Sequence, residues 1–138
     1  MSQYTHMGKT EHLWGQEKII INLKYCGKIL TIYPNGKASS IHFHKLKTKT
    51  FHALRGFIRL QTFQCTNEIL SLKEDDWIPM DDFSLSEGIS ITIQPKIAHR
   101  FWAWGEVATL IEFSFKDDPN DLYKIIPAGE IPLNKSYS

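Results

Sequence analysis

GKASSIHFHKLKTKTFHALRG, the stretch from Gly36 to Gly56, decides how the rest of this chain is read. His42 and His44 stand two residues apart in a β-type run. Side chains alternate along a strand, so both imidazoles point to one face. Two histidines on one face are the beginning of a metal site. A turn follows at Gly56, then an alternating run from Ile58 to Thr62. Much later, Pro95-Lys96-Ile97-Ala98-His99 sets a third histidine at the head of another apolar run.

This arrangement resembles the two blocks of the cupin family, G-x5-H-x-H-x3–4-E-x6-G and G-x5-P-x-G-x2-H-x3-N. Gly36, His42, His44, Gly56, Gly88 and His99 fall in register with those blocks. Lys49 stands where the family has its ligand glutamate. In the second block Gln94, Lys96 and Ala103 replace the family's proline, glycine and asparagine. Trp14-Gly15, Tyr25-Cys26-Gly27-Lys28, Phe113-Ser114-Phe115 and Asp121-Leu122-Tyr123-Lys124 extend the resemblance. They are similar to small single-domain cupins grouped with type II mannose-6-phosphate isomerase and polysaccharide-biosynthesis proteins. The resemblance covers residues 14 to 115. It implies an all-β fold, a double-stranded β-helix or jelly-roll barrel with the histidines inside. Many short runs with regularly spaced turns argue independently for a sandwich or barrel.

Composition sets the bounds. At 138 residues the chain suits one domain. Hydrophobic residues make up 42% and charged residues 22%, a globular composition. A formal net charge of +1 argues against a nucleic-acid partner. No apolar run approaches a membrane span, and Met1 to Gly15 lacks the apolar core of a signal peptide, so a cytoplasmic location is expected. Cys26 and Cys65 then read as free thiols.

The expected organisation is a loose lead over 1–13, a cupin domain over 14–126 and a polar tail or strap over 127–138. Expected strands run over Glu17–Asn22, Lys28–Tyr33, Ala38–Phe43, Thr50–Leu54, Phe57–Phe63, Ser90–Ile93, His99–Trp104 and Ala108–Phe115. A short strand is expected at Glu68–Leu72, acidic turns around Trp77, and a short amphipathic helix at Asn120–Ile125. Lys45 to Lys49 reads as a basic loop.

His42, His44 and His99 are the candidate metal ligands. Neutral imidazoles suit a divalent ion such as zinc, iron, nickel or manganese. Lys49 leaves several outcomes open: it swings to solvent, it stays neutral beside an ion, or its ammonium replaces the metal and draws an anionic ligand. A fourth reading makes it a solvated loop residue. Glu112, set in Leu110-Ile111-Glu112-Phe113-Ser114, is a candidate acid or base if its face lines the barrel, where Lys49 or Arg100 could pair with it. His52 reads as a packed or interface residue, and His6 and His12 have no assigned role. Trp102 and Trp104, on one face with Arg100, suit a sugar-stacking surface or plain packing.

The resemblance implies a small-molecule pocket, with a sugar or anionic sugar derivative as ligand, and a sugar or sugar-phosphate isomerase or epimerase activity with Glu112 and Lys49 as its candidate catalytic residues. A non-catalytic binding module and a three-histidine oxygenase are the alternatives. A homodimer is expected, paired through Trp14, Ile19-Ile20-Ile21 and the outer sheet face.

Overall fold

The computed structural model describes residues 8–64 and 79–131. The expected strand at Glu68–Leu72, the turns around Trp77, Cys65 and His6 lie outside the described residues. Thirteen strands are present among the described residues: β1 (Gly8–His12), β2 (Gly15–Asn22), β3 (Tyr25–Ile32), β4 (Lys37–Ala38), β5 (Ile41–Phe43), β6 (Lys49–Arg55), β7 (Ile58–Gln64), β8 (Asp81–Leu85), β9 (Ser90–Ile93), β10 (Ile97–Ala103), β11 (Ala108–Phe115), β12 (Tyr123–Ile126) and β13 (Gly129–Glu130). They form a six-stranded sheet, β1-β2-β3-β11-β6-β9, a five-stranded sheet, β12-β5-β10-β7-β8, and the pair β13-β4. Every pairing is antiparallel. The fold is the all-β jelly roll that the alternating runs and turn glycines lead one to expect.

Alternation decides which side chains meet between the sheets. Leu30, Ile32, Phe51, Ala53 and Leu110 come from the six-stranded sheet and pack on Ile58, Leu60, Phe101 and Ala103 from the five-stranded one. A second cluster, Ile41, Phe43, Phe63 and Ala98, covers the far face of the five-stranded sheet together with Ile125 and Ile126 of β12. That sheet is thus buried on both faces. Trp102 and Arg100 are buried on its far face, while Trp104 is exposed.

Several local expectations are corrected. Residues 8–12 are not a loose lead; they hydrogen-bond along β2 as an edge strand. The strand expected from Lys28 begins earlier, at Tyr25, so that Tyr25-Cys26-Gly27 is the start of β3. The run Ala38–Phe43 splits into β4 and β5, because Ser39 leaves the ladder to bond with Phe101. No helix forms at Asn120–Ile125. A 3-10 turn, Pro119–Asp121, is capped by the Asp118 side chain and gives way to β12, whose β-branched Ile125 and Ile126 suit a strand. The tail works as a strap: β13 pairs with β4, and Lys37 pairs with Glu130. Cys26 is buried and free. No helix of the described chain is long and apolar enough to cross a membrane.

Two backbone positions explain how the motif works. Gly56 has φ +80°, and a Cβ there would lie 2.8 Å from the Ala108 backbone, so only glycine lets β7 turn in under β11. Lys96 occupies the family's glycine position and still adopts φ 67°. Its backbone N–H donates to His44 O at 2.6 Å, which ties the loop before β10 to the end of β5. A lysine held left-handed stores roughly 1 kcal/mol.

These positions give substitutions of opposite sign. Lys96→Gly should raise stability by about 1 kcal/mol in urea unfolding, less the entropy of the freer unfolded chain. Gly56→Ala should cost more than Gly36→Ala. Both glycines have φ near +80°, yet a Cβ at Gly36 meets nothing within 4 Å. Equal losses at the two glycines would show that the contact with Ala108 is readily relieved.

Candidate functional site

The register of β5 and β10 places the histidines. His99 pairs directly with His42. His44 lies two residues further, on the same face. The ring centroids are 4.5 Å apart for His42 and His99, 5.7 Å for His42 and His44, and 6.4 Å for His44 and His99. Each ring has its Nδ1 beside a backbone carbonyl: His42 beside Ser40 at 3.2 Å, His44 beside Asp121 at 3.0 Å and His99 beside Ile97 at 3.2 Å. A carbonyl only accepts, so in His44 and His99 Nδ1 carries the proton and Nε2 keeps its lone pair. His42 Nδ1 also lies 3.0 Å from the Ser40 hydroxyl, which can donate or accept. The Nε2 atoms of His44 and His99 are buried and have no hydrogen-bond partner among the described residues.

That is the donor set a divalent ion uses, with backbone partners fixing each ring. The three rings are gathered but not closed. Among the described residues, no group of three His, Cys, Asp or Glu side chains is arranged to hold an ion.

The opposite wall is ionic. Glu112 faces inward from β11, opposite Lys28 of β3. Lys49 begins β6, diagonal to Glu112. Lys47 and Lys49, expected as part of a basic loop, are both buried, at 3% and 4% exposure. The reading of Lys49 as a solvated residue is therefore corrected: its strand alternation turns it into the barrel. Glu112 pairs with Lys49 and Lys47, at 3.5 and 3.3 Å, and not with Arg100, which bonds Gln61 on the far face. Lys47 continues to Asp117 at 3.0 Å, Asp117 to Lys28 at 2.9 Å, and Lys28 to Glu17 at 3.1 Å. The result is an alternating chain, Lys49, Glu112, Lys47, Asp117, Lys28, Glu17, with three charges of each sign.

Burial and these neighbours set the protonation states. Burial opposes charge on Glu112, but Lys49, Lys28 and Lys47 outweigh it and hold its carboxyl at about 2. Burial likewise opposes charge on Asp117, and Lys28 and Lys47 hold it well below the usual carboxylate range. Burial lowers Lys49, with Glu112 offsetting part of the effect. Burial and then Lys49 and Lys47 bring His44 down to about 4. His42 and His99 are pushed well below the ordinary imidazole value, mainly by burial. All three rings are neutral at physiological pH, as ligation requires.

A cavity of about 250 Å³ lies between the two walls. His42, His44, Lys49, Glu112, Lys28 and Asp117 line it, over an apolar floor that includes Trp14, Leu30, Phe51 and Phe101. Leu122 and Lys124, around the start of β12, and Pro127 and Ala128 of the strap close one side. Trp14 is packed edge-on against Phe101 at 4.9 Å and is only 6% exposed, so it belongs to the cavity and not to an outer interface. Trp102 and Trp104 do not line the cavity. His12 does, stacked on Trp14 at 4.7 Å with its Nε2 3.8 Å from Glu17. Sequence reasoning missed His12, Glu17, Lys28, Lys47 and Asp117. The one available signal was alternation along β2 and β3, which puts Glu17 and Lys28 on the inward face. His52 sits on β6 facing away from the cavity and bonds Ser90 at 2.7 Å.

No family model matches the chain, and no curated protein matches it. Solved structures do. The capsular polysaccharide assembling protein CapF from Staphylococcus aureus superimposes with a TM-score of 0.68 at 16% identity, over 89% of this chain and 32% of CapF. An oxalate decarboxylase from Bacillus subtilis gives 0.67 at 12% identity, over 91% and 34%. The iron(II) form of HppE gives 0.58 at 15% identity, over 79% and 56%. The chain thus spans about a third of the length of the first two. What is shared is the cupin jelly-roll fold.

The lowered imidazoles give a pH expectation. Between its folded value and about 6.5, each ring binds fewer protons folded than unfolded. Stability is therefore full above pH 6.5 and falls below it, by at most about 1.4 kcal/mol per pH unit per ring. For His44 the loss ends near pH 4. Glu112 adds a second loss, beginning near pH 4.5 and running toward pH 2. Urea midpoints should therefore drop from pH 7 to pH 5, and His99→Gln should flatten that drop. A midpoint constant over this range would mean the rings take up protons while folded.

Proposed function

We propose that this chain is a metal-dependent cupin that binds a small polar ligand between its imidazole and ionic walls, and that a sugar or sugar-phosphate isomerase or epimerase is its activity class. The observation that carries the metal reading is the pair of buried Nε2 atoms on His44 and His99, without a partner among the described residues, each opposite a nitrogen beside a backbone carbonyl. A buried nitrogen without a partner is costly unless something fills the place. His42, His44 and His99 would hold a divalent zinc, iron, nickel or manganese ion, which would polarise a carbonyl or hydroxyl oxygen of the ligand. Solved proteins of this fold support a metal: the Bacillus subtilis oxalate decarboxylase has manganese(II) centres, and HppE has an iron(II) form.

The ionic wall supports a polyhydroxylated ligand. Sugar hydroxyls both donate and accept, which matches alternating lysines and carboxylates. Trp14 and Phe101 supply an apolar floor. The name of CapF, a capsular polysaccharide assembling protein, points the same way. Glu112 is a weak base when held at about 2, so its role in this reading is to fix Lys49. The Lys49 ammonium would face negative charge developing on the ligand.

Lys49 also favours a second reading, an anion-binding module without metal, because its ammonium stands where a ligand carboxylate would be. Calorimetric titration of zinc, nickel, manganese and iron(II) separates the two. The metal reading expects one equivalent bound by the wild type, a loss of at least tenfold in His44→Ala and His99→Ala, and little gain in Lys49→Glu. The anion reading expects a metal-poor wild type, strong binding by Lys49→Glu, and loss of phosphate or sugar-phosphate binding in that variant. Weak, equal binding by both proteins would overturn the metal reading.

A homodimer is also proposed, through the outer face of the six-stranded sheet. Tyr25, Phe113 and Phe115 are 56–60% exposed there, neighbours through the register of β3 and β11. Three adjacent exposed aromatics are more than a solvated sheet face usually carries. Light scattering should give twice the chain mass, and Phe113→Asp should halve it. A monomer mass for the wild type at micromolar concentration would end this proposal.

A further inference from the structure

Asp121 is a buried carboxylate that no part of the ligand-binding account uses. It ends the 3-10 turn before the strap and is 6% exposed. Its Oδ1 accepts the backbone N–H of Lys45 at 2.9 Å, and its two oxygens accept that of Leu46 at 3.3 and 3.2 Å. Its own carbonyl accepts Nδ1–H of His44 at 3.0 Å. Its own N–H is held in turn by Asp118 O at 2.9 Å.

One residue therefore grips the His44 ring and the backbone of the two residues that follow it. A carboxylate accepting two backbone N–H groups in a buried place forms stronger bonds than a neutral acceptor. These bonds lock the distance between the turn at 45–46 and the backbone at 121. That distance sets whether the carbonyl of Asp121 reaches the imidazole of His44. The other two rings need no such help, because their acceptors, Ser40 and Ile97, sit only two residues before them in the chain. His44 alone takes its acceptor from 77 residues away in sequence.

We infer that Asp121 is the positioning residue for His44: its side chain clamps the 45–46 turn so that its carbonyl fixes the His44 ring with Nε2 free toward the cavity. The inference rests on the metal reading for what the freed nitrogen is used for, but not for the geometry itself. The same clamp precedes Lys47 by one residue and so aims that side chain inward to Glu112 and Asp117.

The test begins on metal-free protein. Long-range nitrogen–proton NMR should find His44 as the Nδ1–H tautomer in the wild type, with slow exchange of the ring proton. An Nε2–H tautomer for His44 would overturn the inference, whether or not any variant folds. Asp121→Ala should convert His44 to mixed tautomers while His42 and His99 keep theirs. Asp121→Asn retains one acceptor oxygen and should restore the wild-type pattern. An unchanged His44 tautomer in folded Asp121→Ala would also overturn it. In zinc titrations Asp121→Ala should lose about 10- to 100-fold in affinity, and Asp121→Asn only a few-fold. Failure of the wild type to bind zinc, with the tautomers as expected, would remove the metal reading and leave the clamp standing.

Discussion

The interaction on which the barrel interior depends is the alternating chain of charges from Lys49 to Glu17. Lys28, Lys47, Lys49 and Glu112 are buried in a space that a small β-barrel would normally fill with apolar side chains, with Asp117 and Glu17 half-buried at its rim. Charges in such a place are tolerated only when paired, and removing one partner leaves its neighbour uncompensated at a cost of several kcal/mol. Glu112 is the critical member, because it meets two lysines directly and sits across the ladder from a third. The chain also fixes register. A one-residue slip of β11 against β3 would turn Glu112 outward and leave Lys28 facing Ile111 or Phe113.

The two sheets contribute different chemistry to one cavity. The side of the five-stranded sheet supplies the uncharged imidazoles of His42 and His44, with His99 packed behind them, and the six-stranded sheet and its flanking loops supply the ions. The walls are coupled: Lys49 is among the influences keeping all three rings neutral. Glu112 draws that ammonium to its own side. The arrangement keeps lone pairs available on one wall without leaving an unbalanced cation on the other. Lys124 of β12 and Pro127 and Ala128 of the strap then close the cavity, and Asp121 joins the segment before β12 to the imidazole wall.

The departures from the family pattern have different structural weights. Lys96 keeps the left-handed backbone that its glycine counterpart would adopt, so the turn survives with a strained residue in it. Lys49 keeps the inward direction of the position it occupies but reverses the charge. That reversal is absorbed by Glu112 on the neighbouring strand. A change at a turn is thus accommodated by the backbone, and a change in the cavity by a partner distant in sequence.

The sequence by itself determined most of the central strands, the turn at Gly56 and the shared face of His42 and His44, but not β1, the break between β4 and β5, or β12. The features it did determine follow from local rules: side chains alternate along a strand, glycine permits positive φ at Gly56, and β-branched runs extend. The pairing of His42 with His44 on one face needed nothing more. Only the tertiary structure decided that Lys47 and Lys49 are buried, that Glu112 meets them and not Arg100, and that Trp14 lines the cavity. Lys49 meets a partner 63 residues away, Lys47 one 70 away, and Lys28 one 89 away. In the sequence, KLKTK reads as a solvated loop because nothing nearby carries the opposite charge. Burial of an ion depends on what faces it across the barrel, and strand order, which local patterns do not encode, sets that.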